Sequence, residues 1–387
     1  MISNRIKELT PFIVMDVLER ADEMAHEGID IIHLEVGEPD FDIPACVKDA
    51  ICKAIQDGQT FYTHSLGMIE LREAICQHYL EIYGVTVHPD QVLVTSGTSP
   101  AMLIVFAALL ENDDQVILSD PHYACYPNFI KFVGGKPLTV PVYESEKYEF
   151  QIERVQAAIT EKTKAIFINS PSNPTGTLLS ESCLREIASL PIHIISDEIY
   201  HGLVYEGKEH SILEYRDDVF VLNGFSKLHA MTGLRLGYLI APKKFIRPMQ
   251  ILQQNFLISA NSVAQIGGLA ALKDAHDDIT NMKAIYNKRR KYMIQRLRQM
   301  GFEISVEPTG AFYVFVNARH LSNDSYQLAF NILEKAHVGV TPGIDFGNNA
   351  EGYLRFSYAN SIENIAEGMD RLENYIRVKT SPATSSI

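Results

Sequence analysis

The sequence predicts an α/β protein: a large three-layer domain around a mostly parallel sheet, with a smaller α+β domain beside it. Short apolar runs alternate with helical stretches from Val92 to Ala241, the pattern of strands crossed and covered by helices. After Gly301 the pattern changes, and closely spaced short runs look like a small, more antiparallel sheet. A chain of 387 residues, 46% hydrophobic and 21% charged, is long enough to build more than one core.

Taken in order, Thr10 and Pro11 read as an N-cap followed by proline at the first helical position, opening a helix that ends near Gly28. DQVLVTSGTSPAMLIVFAALL reads as a strand at Val92 to Val94, a turn, and a helix from about Pro100. The runs VILSD, PLTVPV, AIFIN, IHIIS, VFVLN and GYLIA then supply further strands. A long helix through NMKAIYNKRRKYMIQRLRQM stops at Gly301. FEISVEPTGAFYVFVN, GVTPG and GYLRFSYAN form the smaller sheet, closed by a helix from Ser361 to about Val378. The expected division is residues 46–285 for the large domain and residues 1–45 with 286–378 for the small one, the first helix packing on the latter. The small, polar residues 379–387 are expected to be disordered.

Charge and composition narrow the function. A formal net charge of -14 argues against nucleic acid or an anionic membrane as the main partner. The cysteines Cys46, Cys52, Cys76, Cys125 and Cys183 are scattered, odd in number and without a CxxC pair, which fits a reducing compartment better than a disulfide framework. The first 28 residues carry charges throughout and no apolar core of a signal peptide. A cytoplasmic setting is expected.

In open α/β sheets ligands gather at the carboxyl ends of the strands. After Val94 come Ser96, Gly97, Thr98 and Ser99, then an apolar helix, the makings of an anion site at a helix start or of an ordinary N-cap. After AIFIN comes the turn SPSNPTG with Asn173; after IHIIS comes DEIY with Asp197 and Tyr200; after VFVLNG come Ser226, Lys227 and then Arg235. Singly, these are a turn, a helix cap and two solvated cations. Together they meet the needs of a phosphorylated aldehyde cofactor with a ring nitrogen. Such a site needs a lysine for a Schiff base, a carboxylate to keep the ring nitrogen protonated, and donors to a phosphate and a ring hydroxyl. On GYLRFSYAN, Arg355 shares a face with Tyr353 and Ser357 and needs a partner, either a bound carboxylate or a structural acid. Other features read as bland. DAHDD at 274–278 is expected in a solvated loop and no metal site is expected. KRRKYMIQRLR reads as a solvated or interfacial basic face, and His64, His122, His201 and His229 are as well explained by structure as by function.

With SNPTG, DEIY and FSK followed by MTGLRLG in this order, the chain resembles the class I/II aminotransferases, enzymes of pyridoxal-phosphate fold type I, from LEVGEPDFDIP to YLRFSYAN. It departs from many of them at Ser99, Pro100 and Gly224. The resemblance implies that Lys227 forms the Schiff base with pyridoxal 5'-phosphate and moves the substrate Cα proton. Asp197 would pair with the pyridinium nitrogen, and Tyr200 and Asn173 with the ring hydroxyl. Gly97, Thr98, Ser99, Ser226 and Arg235 would form the phosphate cup, and Tyr123 would stack on the ring. Arg355 would clamp the substrate α-carboxylate, with Gly37 and Asn173 beside it. Tyr62 would reach the phosphate of a neighbouring subunit, implying a homodimer with shared sites.

The implied reaction moves the amino group of an L-amino acid to a 2-oxo acid such as 2-oxoglutarate. A lyase of C–S lyase type on the same fold is the alternative, and a sensor domain of a transcription regulator a distant third. Phe12, Ile13, His64, Ser65, Asn261 and Phe312 are the candidates for the side-chain pocket. No second arginine announces a dicarboxylate site.

Overall fold

The computed structural model describes residues 2–380. Its strands are β1 (Ile32–His33), β2 (Val92–Thr95), β3 (Gln115–Asp120), β4 (Lys136–Pro141), β5 (Thr163–Asn169), β6 (His193–Asp197), β7 (Phe220–Gly224), β8 (Gly237–Ile240), β9 (Tyr313–Asn317), β10 (Val338–Gly339), β11 (Thr341–Pro342) and β12 (Tyr353–Ser357). A seven-stranded sheet has the order β2-β8-β7-β6-β5-β3-β4. Neighbours run parallel except around β8, which is antiparallel to both β2 and β7.

Strand alternation sorts the core into two layers. Val94, Ile117, Ile166, Ile194 and Val221 face one cluster; their neighbours Leu93, Leu118, Phe167, Ile195 and Leu222 face the other. The first cluster is covered by helices including Ile69–Tyr83 and Ser262–Asp274, the second by Thr98–Leu109 and Lys243–Phe256. Each large apolar side chain so buried contributes about 1.5–3 kcal/mol. A separate three-stranded antiparallel sheet, β11-β12-β9, carries its own core with helices His276–Gln299 and Ile362–Thr380.

The reversed strand has a consequence for function. Gly237 opens β8 opposite both Thr95, the last residue of β2, and Gly224, the last of β7. The loop from 225 to 236 therefore leaves and returns at one edge of the sheet. Lys227 and Arg235 are both held at the edge where β2, β5, β6 and β7 end.

Several sequence expectations shift. The first long helix is Ile13–His26 with Phe12 as its cap residue, not a helix opened by Thr10. Thr10 is instead drawn to Asn128, whose side-chain oxygen accepts from its backbone N–H at 3.1 Å. The helix is held by a distant acid: Asp345 Oδ1 and Oδ2 accept from the N–H groups of Ile13 and Val14 at 2.9 and 3.2 Å. It packs on helix Ser325–Ala336 through Val17, Ala21 and Met24 against Leu333. The helix after β2 starts at Thr98, not Pro100. DAHDD is not a loop but the junction of two helices, Ser262–Asp274 and His276–Gln299. KRRKYMIQRLR is not simply solvated: Arg290 is fully buried with Nη1 donating to Pro308 O at 2.6 Å, and Arg289 pairs with Asp40 at 2.7 Å. The last helix runs to Thr380, and the expected disordered tail otherwise lies outside the described residues. All five cysteines are free, and no helix among the described residues is long and apolar enough to cross a membrane.

Asp345 satisfies backbone donors that would otherwise lack an intrahelical partner. Asp345→Ala should destabilise the chain by about 1 kcal/mol, read as a lower midpoint in urea unfolding. Asp345→Asn, which keeps one acceptor, should lose less.

Candidate active site

A cleft of about 430 Å³ opens at the carboxyl edge of the large sheet. Gly37, Thr98, Ser99, Tyr123, Asn173, Asp197, Tyr200, Ser226, Lys227, Arg235 and Arg355 all line it. Gly97 lies directly behind this lining: a Cβ there would sit 2.7 Å from Arg235 Nη2. Tyr62 does not line the cleft of its own chain and is 82% exposed.

The helix Thr98–Leu109 begins after Gly97, whose φ of 97° favours glycine, and no side chain caps it. Its first N–H groups and the positive end of its dipole are therefore available to an anion. Arg235 stands beside them and forms no ion pair among the described residues; its Nη1 donates only to Thr232 O, at 2.9 Å.

Lys227 Nζ donates to Gly37 O at 2.7 Å. Desolvation pushes its ammonium down to about 8; Glu38 pulls the other way, and Arg355 and Arg235 add to the lowering. Asp197 ends β6 and is buried. Its Oδ2 accepts from Tyr126 Oη at 2.8 Å and its Oδ1 from Ile199 N at 3.1 Å. Burial lifts this carboxyl to about 6 against the pull of those hydrogen bonds. Asn169, which faces Asp197 across β5 and β6, donates to Asp197 O and accepts from Asn173 N, fixing the turn that carries Asn173.

Arg355 is 2% exposed and lies on β12 between β11 and β9. Its Nη1 donates to Asn173 Oδ1 at 2.9 Å; its Nη2 donates to Glu35 O at 2.5 Å and Thr341 Oγ1 at 3.1 Å. The guanidinium lies 4.3 Å from the ring centre of Tyr313 and 5.0 Å from that of Phe346. Its Nε has no partner, and no carboxylate among the described residues pairs with it. A buried guanidinium without a counter-charge is costly, so the open side of Arg355 is suited to a carboxylate from outside.

Sequence reasoning missed Tyr126, Tyr313 and Glu38. Tyr126 stands three residues after Tyr123 in DPHYACYP and opens a short helix whose turn brings it to Asp197. Tyr313 shares a hydrogen bond of 2.8 Å with Tyr200 and lines the cleft; Phe312, the neighbour named from sequence, is buried just behind the lining, its ring centre 5.8 Å from Lys227 Nζ and edge-on to Tyr200. Glu38 follows Gly37 and accepts from Thr232 Oγ1. Of the other pocket candidates only Phe12 lines the cleft. Ile13, Ser65 and Asn261 serve in backbone or side-chain hydrogen bonds elsewhere, and none of His64, His122, His201 and His229 is part of the lining.

The family model for aminotransferase class I and II matches residues 29–372. The chain is 39% identical over 380 residues to the (5-formylfuran-3-yl)methyl phosphate transaminase of Methanocaldococcus jannaschii, covering 97% of this chain and 100% of that one. It is 36% identical over 387 residues to the probable aspartate/prephenate aminotransferase of Aquifex aeolicus, covering 96% and 98%. The solved aspartate aminotransferase of Thermus thermophilus with maleate matches at a TM-score of 0.93 and 34% identity, over 97% of this chain and 99% of that chain. With this fold, this cleft and these relatives, the chain belongs to the class I and II aminotransferases.

Proposed function

We propose that the cleft binds pyridoxal 5'-phosphate and moves the amino group of an L-amino acid to a 2-oxo acid. The observation that carries this reading is the meeting, in one cleft, of a lysine with a depressed pKa and a buried arginine that lacks a carboxylate. The family is pyridoxal-phosphate-dependent, and the donor set fits that group. The uncapped helix start at Thr98 and the unpaired Arg235 suit a phosphate, Asp197 a protonated ring nitrogen, and Asn173 and Tyr200 a ring hydroxyl. The relatives named above are aminotransferases, which supports transfer over C–S lyase chemistry.

The cofactor supplies an aldehyde that condenses with primary amines and a ring that takes up the electrons left when a Cα proton departs. The chain's own residues do the rest. Lys227 would hold the cofactor through its aldehyde and carry the donor's Cα proton on Nζ as general base. Only the neutral amine can do this, and desolvation prepares it. Asp197 would hold a proton at the ring nitrogen. Arg355, preset by Asn173, Glu35 O and Thr341, would fix the donor's α-carboxylate and so aim its Cα at Lys227.

We further propose a homodimer with shared sites. Tyr62 and Phe61 are each 82% exposed and Phe256 is 78% exposed, unusual for large apolar side chains. A partner would cover them and put Tyr62 within reach of its phosphate. The five free thiols support a reducing, cytoplasmic setting.

The first test is a visible spectrum of the purified protein. A yellow band bleached by an L-amino acid and restored by a 2-oxo acid is expected; pyruvate and ammonia released from cysteine without an acceptor would move the assignment to a lyase. Lys227→Ala should bind pyridoxal phosphate without the covalent linkage and lose turnover altogether, and turnover at the wild-type rate would remove Lys227 from its role. Arg355→Lys should leave the cofactor spectrum unchanged and raise the KM for the donor by roughly 30- to 100-fold, the worth of a charge-assisted hydrogen bond. Capture of pyridoxal phosphate by the cofactor-free protein should also depend on pH. Lys227 attacks only when neutral, so the rate should rise with pH and level off above an inflection near 8. A rate still climbing at pH 10, as for an ordinary lysine, would refute the desolvated amine.

A further inference from the structure

We infer that the amino donor carries a neutral, apolar side chain, aromatic or long aliphatic, received against a wall made by Phe12, Val14, Met15 and Leu18. This rests on the aminotransferase reading and adds the substrate class to it.

The first argument is an inventory of charge. Among the described residues the cations lining the cleft are Lys227, Arg235 and Arg355, and each has a use in the proposed reaction: the aldehyde, the phosphate and the α-carboxylate. None is left to neutralise a second carboxylate on the donor. The remaining charged residues of the lining, Asp197 and Glu38, are acids, and Glu38 forms no ion pair among the described residues. A dicarboxylic donor would bring another negative charge into a site that already holds these acids and the cofactor phosphate. A desolvated charge without a partner is strongly disfavoured.

The second argument is the wall itself. Its residues come from the start of helix Ile13–His26, and Phe12 packs edge-on against Tyr123 with ring centres 5.7 Å apart. Met15 is 44% exposed and lines the cleft, so an apolar group received there would cover it. Methionine adapts to side chains of different shape, as a seat for both aromatic and aliphatic donors requires. Asp345 fixes this wall through the N–H groups of Ile13 and Val14, so the position of the apolar surface is set by the fold.

The test uses the holoenzyme and two inert acids, then amino donors. By titration calorimetry, 3-phenylpropionate should bind and succinate should not. In single-turnover bleaching, phenylalanine, leucine and methionine should each exceed aspartate in kcat/KM by about 100-fold or more, a margin that an unpaired buried charge readily produces. Acceptor preference should run the same way, with phenylpyruvate ahead of oxaloacetate. Phe12→Ala should raise the KM for phenylalanine about 10-fold or more, and Phe12→Leu should restore most of it. Succinate binding as tightly as 3-phenylpropionate, or aspartate bleaching as fast as phenylalanine, would overturn the inference while leaving transamination intact; a cation delivered by a partner subunit would show itself in that way. A yellow protein that no donor bleaches would sink the aminotransferase reading, and this inference with it.

Discussion

Arg355 is the residue on which the two sheets meet. Its strand belongs to the small sheet, yet its guanidinium is held by Asn173 from the turn after β5 of the large sheet, by the carbonyl of Glu35 from the N-terminal segment, and by Thr341 from β11. Tyr313 and Phe346 close on its faces. Those contacts desolvate the charge without neutralising it, since all the oxygens they offer are uncharged. A buried cation so treated is stabilised only in part, and the missing share is what a bound carboxylate would supply. The same contacts tie segments distant in sequence into one rigid frame, so the position of that carboxylate relative to Lys227 is set by the fold rather than by the ligand.

The electrostatics at the other end of the cleft work by the same principle, desolvation. Lys227 is pushed down and Asp197 up, each towards its neutral form, and burial is the leading cause for both. The two effects serve different ends. For Lys227 the neutral amine is the reactive species. For Asp197 burial makes ionisation depend on what it meets: Tyr126 and the N–H of Ile199 hold the carboxylate part of the way, and a protonated ring nitrogen would complete the pairing. A carboxylate solvated by water would bind such a ring more weakly, because water would compete for the same oxygens.

Much of this was legible in the sequence because it lies where apolar runs end. The runs at VILSD, AIFIN, IHIIS and VFVLN mark strands to within a residue or two, and the residues after them, Asn173, Asp197 and Lys227, arrive at the cleft with them. What periodicity does not reveal is a partner set by tertiary contact. Tyr126 is indistinguishable in sequence from any tyrosine on a short helix until β6 brings Asp197 to it. Phe312 and Tyr313 are both aromatic, and only the pairing of β9 with β12 decides which faces Arg355; Ser357 opposite Tyr313 and Arg355 opposite Phe315 fix that register. Thr10 and Pro11 satisfied the local rule for a helix start, yet Asn128 and Asp345, both more than a hundred residues away, took the backbone donors that the rule assigns locally. The arginines of KRRKYMIQRLR looked solvated because Asp40 and the carbonyl of Pro308 are nowhere near them in sequence.

Asp345 also explains how a surface helix can form part of a chemical site. Helix Ile13–His26 buries a narrow stripe, Val17, Ala21 and Met24, against helix Ser325–Ala336, and that stripe alone would leave its first turn free to fray. Two hydrogen bonds donated by the N–H groups of Ile13 and Val14 to a largely buried carboxylate remove that freedom at the turn that carries Phe12 and Val14. Burial pushes the Asp345 carboxyl up, and the hydrogen bonds from Ile13 and Val14 oppose it, as does the field of Arg355. The charge that the cleft needs for one end of a substrate therefore also favours the ionised acid that orders the wall at the other end.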